Sequence, residues 1–199
     1  MTDATKETTS SEDAFPTLST ARLRLREITR ADSKALFAIH GDAEHMRWFG
    51  ADTMSSVEDA AKLIDVFSGW RKMPNPGTRW GIERRSDGTF IGTCGLFKWN
   101  RSWRSCVVGY ELSADAQGHG YMTEALLAAL AYGFDEMGLH RIEASVNPEN
   151  WRSLKVLAKL GFSLEGRLRE AGFWADQYHD LLQYSLLRQD FDKLISHQA

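Results

Sequence analysis

A nine-residue stretch, Gln117-Gly118-His119-Gly120-Tyr121-Met122-Thr123-Glu124-Ala125, constrains this chain more than any other. Before it, Ser105 to Leu112 has the pattern of a strand. Beyond its second glycine, Tyr121 to Met137 places Leu126, Leu127, Leu130, Ala131, Phe134 and Met137 on one continuous helical face. A glycine-rich loop therefore joins a strand to the N-terminus of a strong helix. Glycine lets the backbone come close to a ligand, and free N–H groups at a helix start converge on an anion. The helix dipole adds about half a positive charge there. A pyrophosphate is the natural guest.

Other loops of this kind must be separated from it. A nucleoside-triphosphate loop needs Gly-Lys-Ser/Thr, which is absent, and a dinucleotide fingerprint needs a third glycine where this chain has Thr123. The dinucleotide fold also wants a parallel βαβ unit at the chain start, whereas the strand ahead of this loop closes an antiparallel meander. A glycine-rich helix start that binds nothing is the plain alternative.

The rest of the chain supplies that meander and its surroundings. Ala21 to Ile28 alternates Leu23 and Leu25 with Arg22, Arg24 and Arg26, the mark of a half-buried strand. Thr29 with Asp32, and Ser56 with Asp59, open two short helices. Thr78 to Arg84, a turn at Ser86, Asp87 and Gly88, and Thr89 to Trp99 read as a hairpin leading to Ser105–Leu112. After the long helix come a strand over Arg141 to Val146 and a helix over Trp151 to Leu160, capped by Asn150 and ended at Gly161. Phe162 to Leu168 and His179 to Leu187 close the chain as strands. No internal repeat occurs.

Composition bounds the answer from the other side. At 199 residues the length suits one domain, over 15–199. Nine of the first 20 residues are Ser or Thr, so 1–14 is expected to be a disordered tail. With 43% hydrophobic and 26% charged residues and no long apolar run, the chain reads as soluble, with no membrane span or secretory signal, and as cytoplasmic. A net charge of -3 offers no basic stripe for nucleic acid. The two cysteines, Cys94 and Cys106, are too few for a zinc site and the six histidines show no metal spacing, so no metal is expected. If the turn near Asn100 closes a hairpin, these cysteines would face each other across adjacent strands, as reduced apolar residues.

Gln117-Gly118-His119-Gly120-Tyr121-Met122 resembles the Gln-x-x-Gly-x-Gly/Ala pyrophosphate signature of the GNAT N-acetyltransferases, departing from it at Met122, where the helix has already begun. Asn150-x-x-Ser153 followed by Lys159-Leu160-Gly161-Phe162 is similar to a second element of that family, in the right order. The final strand, Tyr178 to Leu187, looks closest to the branch of ribosomal-protein N-terminal (Rim-type) acetyltransferases, which also includes enzymes for other amines.

The resemblance implies an α/β GNAT fold: a mixed, mostly antiparallel sheet of about seven strands, splayed in the middle, with four helices. It implies acetyl-CoA as cosubstrate and a primary amine as acceptor, a peptide N-terminus first and a small amine second, in a monomer or homodimer. An acyl-CoA-binding module without turnover is the reading from another class. Gln117, Gly118, His119, Gly120 and Tyr121 would hold the pyrophosphate, with Asn150 and Ser153 near the sulfur. The backbone N–H near Leu112 would face the carbonyl oxygen. Many members carry a Tyr seven residues after the Asn, where this chain has Leu157, leaving Ser153 or a water as the acid. Glu111 is the first candidate base and Glu170 the second; the Rim-type glutamate position holds Gly172. His179 and Asp180 are expected to be structural, and Trp48 and Phe49 to line the acceptor groove.

Overall fold

The computed structural model describes residues 14–196. Eight strands form one sheet: β1 (Leu18–Ser19), β2 (Leu23–Glu27), β3 (Thr78–Arg84), β4 (Thr89–Asn100), β5 (Ser105–Leu112), β6 (Arg141–Val146), β7 (Ser163–Trp174) and β8 (Gln177–Leu187). Their spatial order is β1-β2-β3-β4-β5-β6-β8-β7. Every neighbouring pair is antiparallel except β5 and β6, which run parallel. Six helices accompany them: α1 (Ser33–His40), α2 (Ala43–Met46), α3 (Val57–Trp70), α4 (Tyr121–Asp135), α5 (Trp151–Lys159) and α6 (Arg188–Ser196).

The local signals act as their chemistry requires. Asp32 accepts the Thr29 N–H at 2.8 Å, and Ser56 Oγ accepts the Asp59 N–H at 3.2 Å at the start of α3. Asp87 Oδ1 accepts the Thr89 N–H at 3.1 Å in the β3–β4 turn. At the end of α5, Gly161 (φ 78°) donates to the Ala158 carbonyl at 3.2 Å and Phe162 to the Leu157 carbonyl at 3.0 Å. These are the two bonds of a Schellman motif, with Leu157 and Phe162 both buried beneath it.

Helices cover both faces of the sheet. One face packs Leu23, Ile82, Leu96 and Ile142 against Leu126, Leu130 and Phe134 of α4, Leu157 of α5 and Phe191 of α6. Leu36 of α1 joins Ala60, Ile64 and Phe67 of α3 in a second, smaller core. No helix among the described residues is long and apolar enough to cross a membrane.

Several sequence expectations change in detail. The eighth strand is the two-residue β1, too short to leave a pattern. Helix α2 is a single turn held by the Asp42 cap, and α6 follows β8 directly with no capping residue to announce it, so six helices stand where four were expected. Strand β7 runs on to Trp174, its pairing with β8 shifting register twice on the way. Cys94 lies opposite Tyr110, not Cys106, because the β4–β5 hairpin turns over Arg101 to Arg104, beyond Asn100, and closes on the Asn100–Ser105 pair. Both thiols are free and buried, and burial pushes the Cys94 thiol up to about 12. The expected tail, apart from Ala14, lies outside the described residues.

Leu130 on α4 is fully buried against the sheet. Leu130→Ala should cost about 2–5 kcal/mol of unfolding free energy, read from urea denaturation, since a packed core collapses only partly around a lost side chain.

Candidate active site

Strands β5 and β6 pair only at Ser105–Arg141, Cys106–Ile142 and Val107–Glu143. Beyond that point β5 stays with β4 as far as Leu112, and β6 stays with β8 as far as Val146, so the two part. A cleft of about 570 Å³ opens at this end of the molecule, walled by Tyr110 to Leu112, the start of α4, the first turns of α5 and the α1–α2 corner.

The loop before α4 forms one end of the cleft. Gly118 and Gly120 adopt φ of 82° and 79°, a left-handed backbone that side-chain-bearing residues enter at a cost of about 1–2 kcal/mol. Gly120 caps α4 without any side-chain acceptor for the amides of its first turn. Those N–H groups are the unsatisfied donors of a helix start, and Gly118, Gly120, Tyr121, Met122 and Thr123 all line the cleft. Gln117 ties the loop back, its Nε2 donating to the Leu112 carbonyl at 3.2 Å. His119 contributes backbone rather than a cleft wall: its ring stacks with Tyr121 at 5.7 Å, and its carbonyl accepts Arg22 Nη1 at 3.0 Å. Arg22 also donates through Nε to Glu124 at 2.6 Å, which shields the helix start from that carboxylate. No sequence pattern signals this latch, since Arg22 and Glu124 are 102 residues apart.

Glu111 occupies the inner wall in a buried ionic cluster. It receives hydrogen bonds from Arg79 Nη2 and Thr93 Oγ1, and faces His40 Nε2 at 3.2 Å. Arg79 Nε donates to Thr93 Oγ1 at 2.7 Å, closing a ring of contacts. Burial works against the charge on Glu111, but Arg79, His40 and Thr93 outweigh it and hold the carboxyl below its ordinary value. Both oxygens are thus engaged.

Across the parted strands, Tyr110 Oη and Ser153 Oγ meet at 2.7 Å. Burial pushes the Tyr110 phenol up to about 12, against a smaller opposite effect of the Ser153 bond. Tyr110 was not foreseen; a lone tyrosine in a strand pattern carries no signal until α5 is packed beside it. Asn150 caps α5, accepting the Ser153 N–H at 3.1 Å. Glu170 is exposed on β7 at a left-handed kink (φ 51°) and donates its N–H to Asp180; it does not line the cleft. His179 stacks on Trp174 at 3.8 Å, and Asp180 also accepts Arg167 at 2.6 Å. Trp48 and Phe49 line the far end of the cleft with Asp42, Glu44 and His45. Among the described residues no group of three or more His, Cys, Asp or Glu could hold a metal ion.

Residues 22–163 match the family described as "Acetyltransferase (GNAT) domain". The chain belongs to the GNAT acetyltransferase family. It is 36% identical to the uncharacterized N-acetyltransferase YoaA of Bacillus subtilis (strain 168), over 87% of this chain and 98% of that protein. It is 25% identical to the spermidine N(1)-acetyltransferase of Escherichia coli (strain K12), over 85% of this chain and 88% of that one. Among solved structures, Mycobacterium smegmatis RimJ in complex with CoA-disulfide superposes with a TM-score of 0.78 at 25% identity, covering 88% of this chain and 89% of that one. This GNAT chain is therefore an N-acetyltransferase.

Two outcomes test the site as built. Gly120→Val forces a β-branched residue into φ 79° at the mouth of the amide cradle. It should abolish acetyl-CoA binding in calorimetry while leaving most of the helical circular dichroism. Glu111→Gln removes one member of a buried pair, at about 3–5 kcal/mol. Because the folded pKa of Glu111 is depressed, its stabilisation is present above the ordinary glutamate value and lost as pH falls below it. The stability gap between wild type and Glu111→Gln in urea melts should be widest at neutral pH and narrow below about pH 4, near the ordinary glutamate value.

Proposed function

We propose that this GNAT chain transfers the acetyl group of acetyl-CoA to the α-amine of a peptide or protein N-terminus. The amides of Gly118 to Thr123 grip the pyrophosphate, and the free inner edges of β5 and β6 take the pantetheine arm as a sheet edge takes an added strand. The Ser113 N–H donates to Ile91 at 2.8 Å, on the β4 side. Alternation along the strand turns the Leu112 N–H the other way, into the cleft, where it meets the carbonyl oxygen as negative charge gathers on it. The hydroxyl pair Tyr110–Ser153 supplies a proton to the departing sulfur, with Asn150 and Ser153 beside the arm. Acetyl-CoA supplies the activated acyl group; no metal is needed, and the reaction suits a cytoplasmic enzyme.

The commitment of Glu111 carries the choice of acceptor. With that carboxylate held ionised by Arg79, Thr93 and His40, no strong carboxylate base stands free on the inner wall. An α-amine, with a pKa of about 7.7–8.0, is neutral often enough to react with modest help, whereas an alkylamine of about 10.4 is not. A polyamine is the second reading, favoured by the exposed carboxylates of Asp42 and Glu44 at the outer end of the cleft.

Thiol release from acetyl-CoA, measured against peptide N-termini, polyamines and aminoglycosides, decides between them. Peptides should be turned over fastest; turnover of polyamines alone would overturn the choice, and no thiol release with any amine would leave an acyl-CoA-binding module. Tyr110→Phe and Ser153→Ala should each lower kcat about 10²-fold with little change in KM, because the lost proton donor acts on the leaving sulfur.

A further inference from the structure

Deprotonation of the acceptor remains without an agent once Glu111 is committed to Arg79. We propose that His45 is the general base: its imidazole stands at the acceptor end of the cleft, in the same wall as Glu111, Trp48 and Phe49, and takes the proton of the incoming amine. This rests on the amine-acetylating reading above and adds its missing group.

The ring is placed by several independent holds. Asp42 caps α2, its Oδ1 accepting the N–H groups of Glu44 at 2.9 Å and His45 at 3.4 Å. The next residue, Met46, is buried. Trp174 Nε1 donates to the Arg47 carbonyl at 3.0 Å, so the tip of the β7–β8 hairpin pins the following turn. The imidazole itself is half-buried and makes no hydrogen bond among the described residues, so its ring nitrogens are open to a substrate.

The other carboxylates at this end have partners of their own. Asp42 is spent on the cap, Glu44 pairs with Arg47 at 3.0 Å, and Glu111 is saturated. Burial holds His45 below its ordinary value; Glu111 and Asp42 act in the opposite direction, and His40 in the same one. At neutral pH the ring is thus unprotonated and able to accept.

The step balances. The ammonium passes one proton to His45, and the freed nitrogen pair bonds to the acyl carbon as the carbon–sulfur bond breaks. His45 returns that proton to solvent; the Tyr110–Ser153 pair gives a proton to the departing sulfur and takes the nitrogen's second proton in its place, so the net products are the amide, the thiol and one proton.

The experiment compares wild type, His45→Gln and His45→Ala by thiol release with a peptide acceptor across pH 6 to 9.5. Thermal melting and acetyl-CoA affinity serve as checks on folding. The variants should lose about 10²-fold or more in kcat near neutrality. That loss should shrink as rising pH frees the amine unaided, and added imidazole should restore part of it in His45→Ala. His45→Gln within about twofold of wild type at pH 7 overturns the base. Wild-type activity on polyamines alone, lost in His45→Gln, upholds the base and overturns the choice of acceptor. A wild type that releases no thiol with any amine overturns both.

Discussion

Parallel pairing of β5 with β6 lasts for three residues and then stops, and every feature of the site hangs on that interruption. Each strand keeps its outer neighbour, β4 on one side and β8 on the other, so neither is unfolded by the separation. What remains on the inner edges is a set of backbone donors and acceptors with no strand to satisfy them. Such an edge is a liability in most proteins, and on the proposed reading it is a binding surface here. The gap also lets α5 bring Ser153 to Tyr110, and lets the first turn of α4 look into the same space.

Charge is distributed around this gap in a way that separates roles. At the start of α4 the free backbone amides supply positive potential, and Arg22 pairs with the Glu124 carboxylate beside them. On the inner wall, Glu111 and Arg79 neutralise each other with Thr93 and His40 filling the remaining bonds. A buried pair of this kind holds a conformation more than it adds stability, because desolvation offsets much of the attraction. It fixes the end of β5, and with it the direction of the Leu112 amide. The outer end carries Asp42, Glu44 and the half-buried His45.

Elements with a strong period or an explicit terminus signal were legible in the sequence. Strands β5 and β6 have the predicted bounds, and α3, α4 and α5 begin where Ser56, Gly120 and Asn150 place them. The single turn α2, the two-residue β1 and the uncapped α6 were not, because each draws its stability from packing. In the cleft, the glycine loop could be read because its left-handed backbone is a property that glycine advertises. Tyr110, Arg22 and His45 could not, since each is an ordinary residue until a distant element is laid beside it.

The sequence by itself determined where the chain would bend, which segments would be helix or strand, and that a glycine loop would open α4. Those properties are local, set by side-chain period, caps and glycine conformations. Only the tertiary structure decided that Glu111 is locked to Arg79, that Tyr110 meets Ser153, and that His45 stands unengaged in the wall of the cleft. Those are contacts between residues far apart in the chain, and their chemistry follows from burial and neighbours that no window of sequence contains.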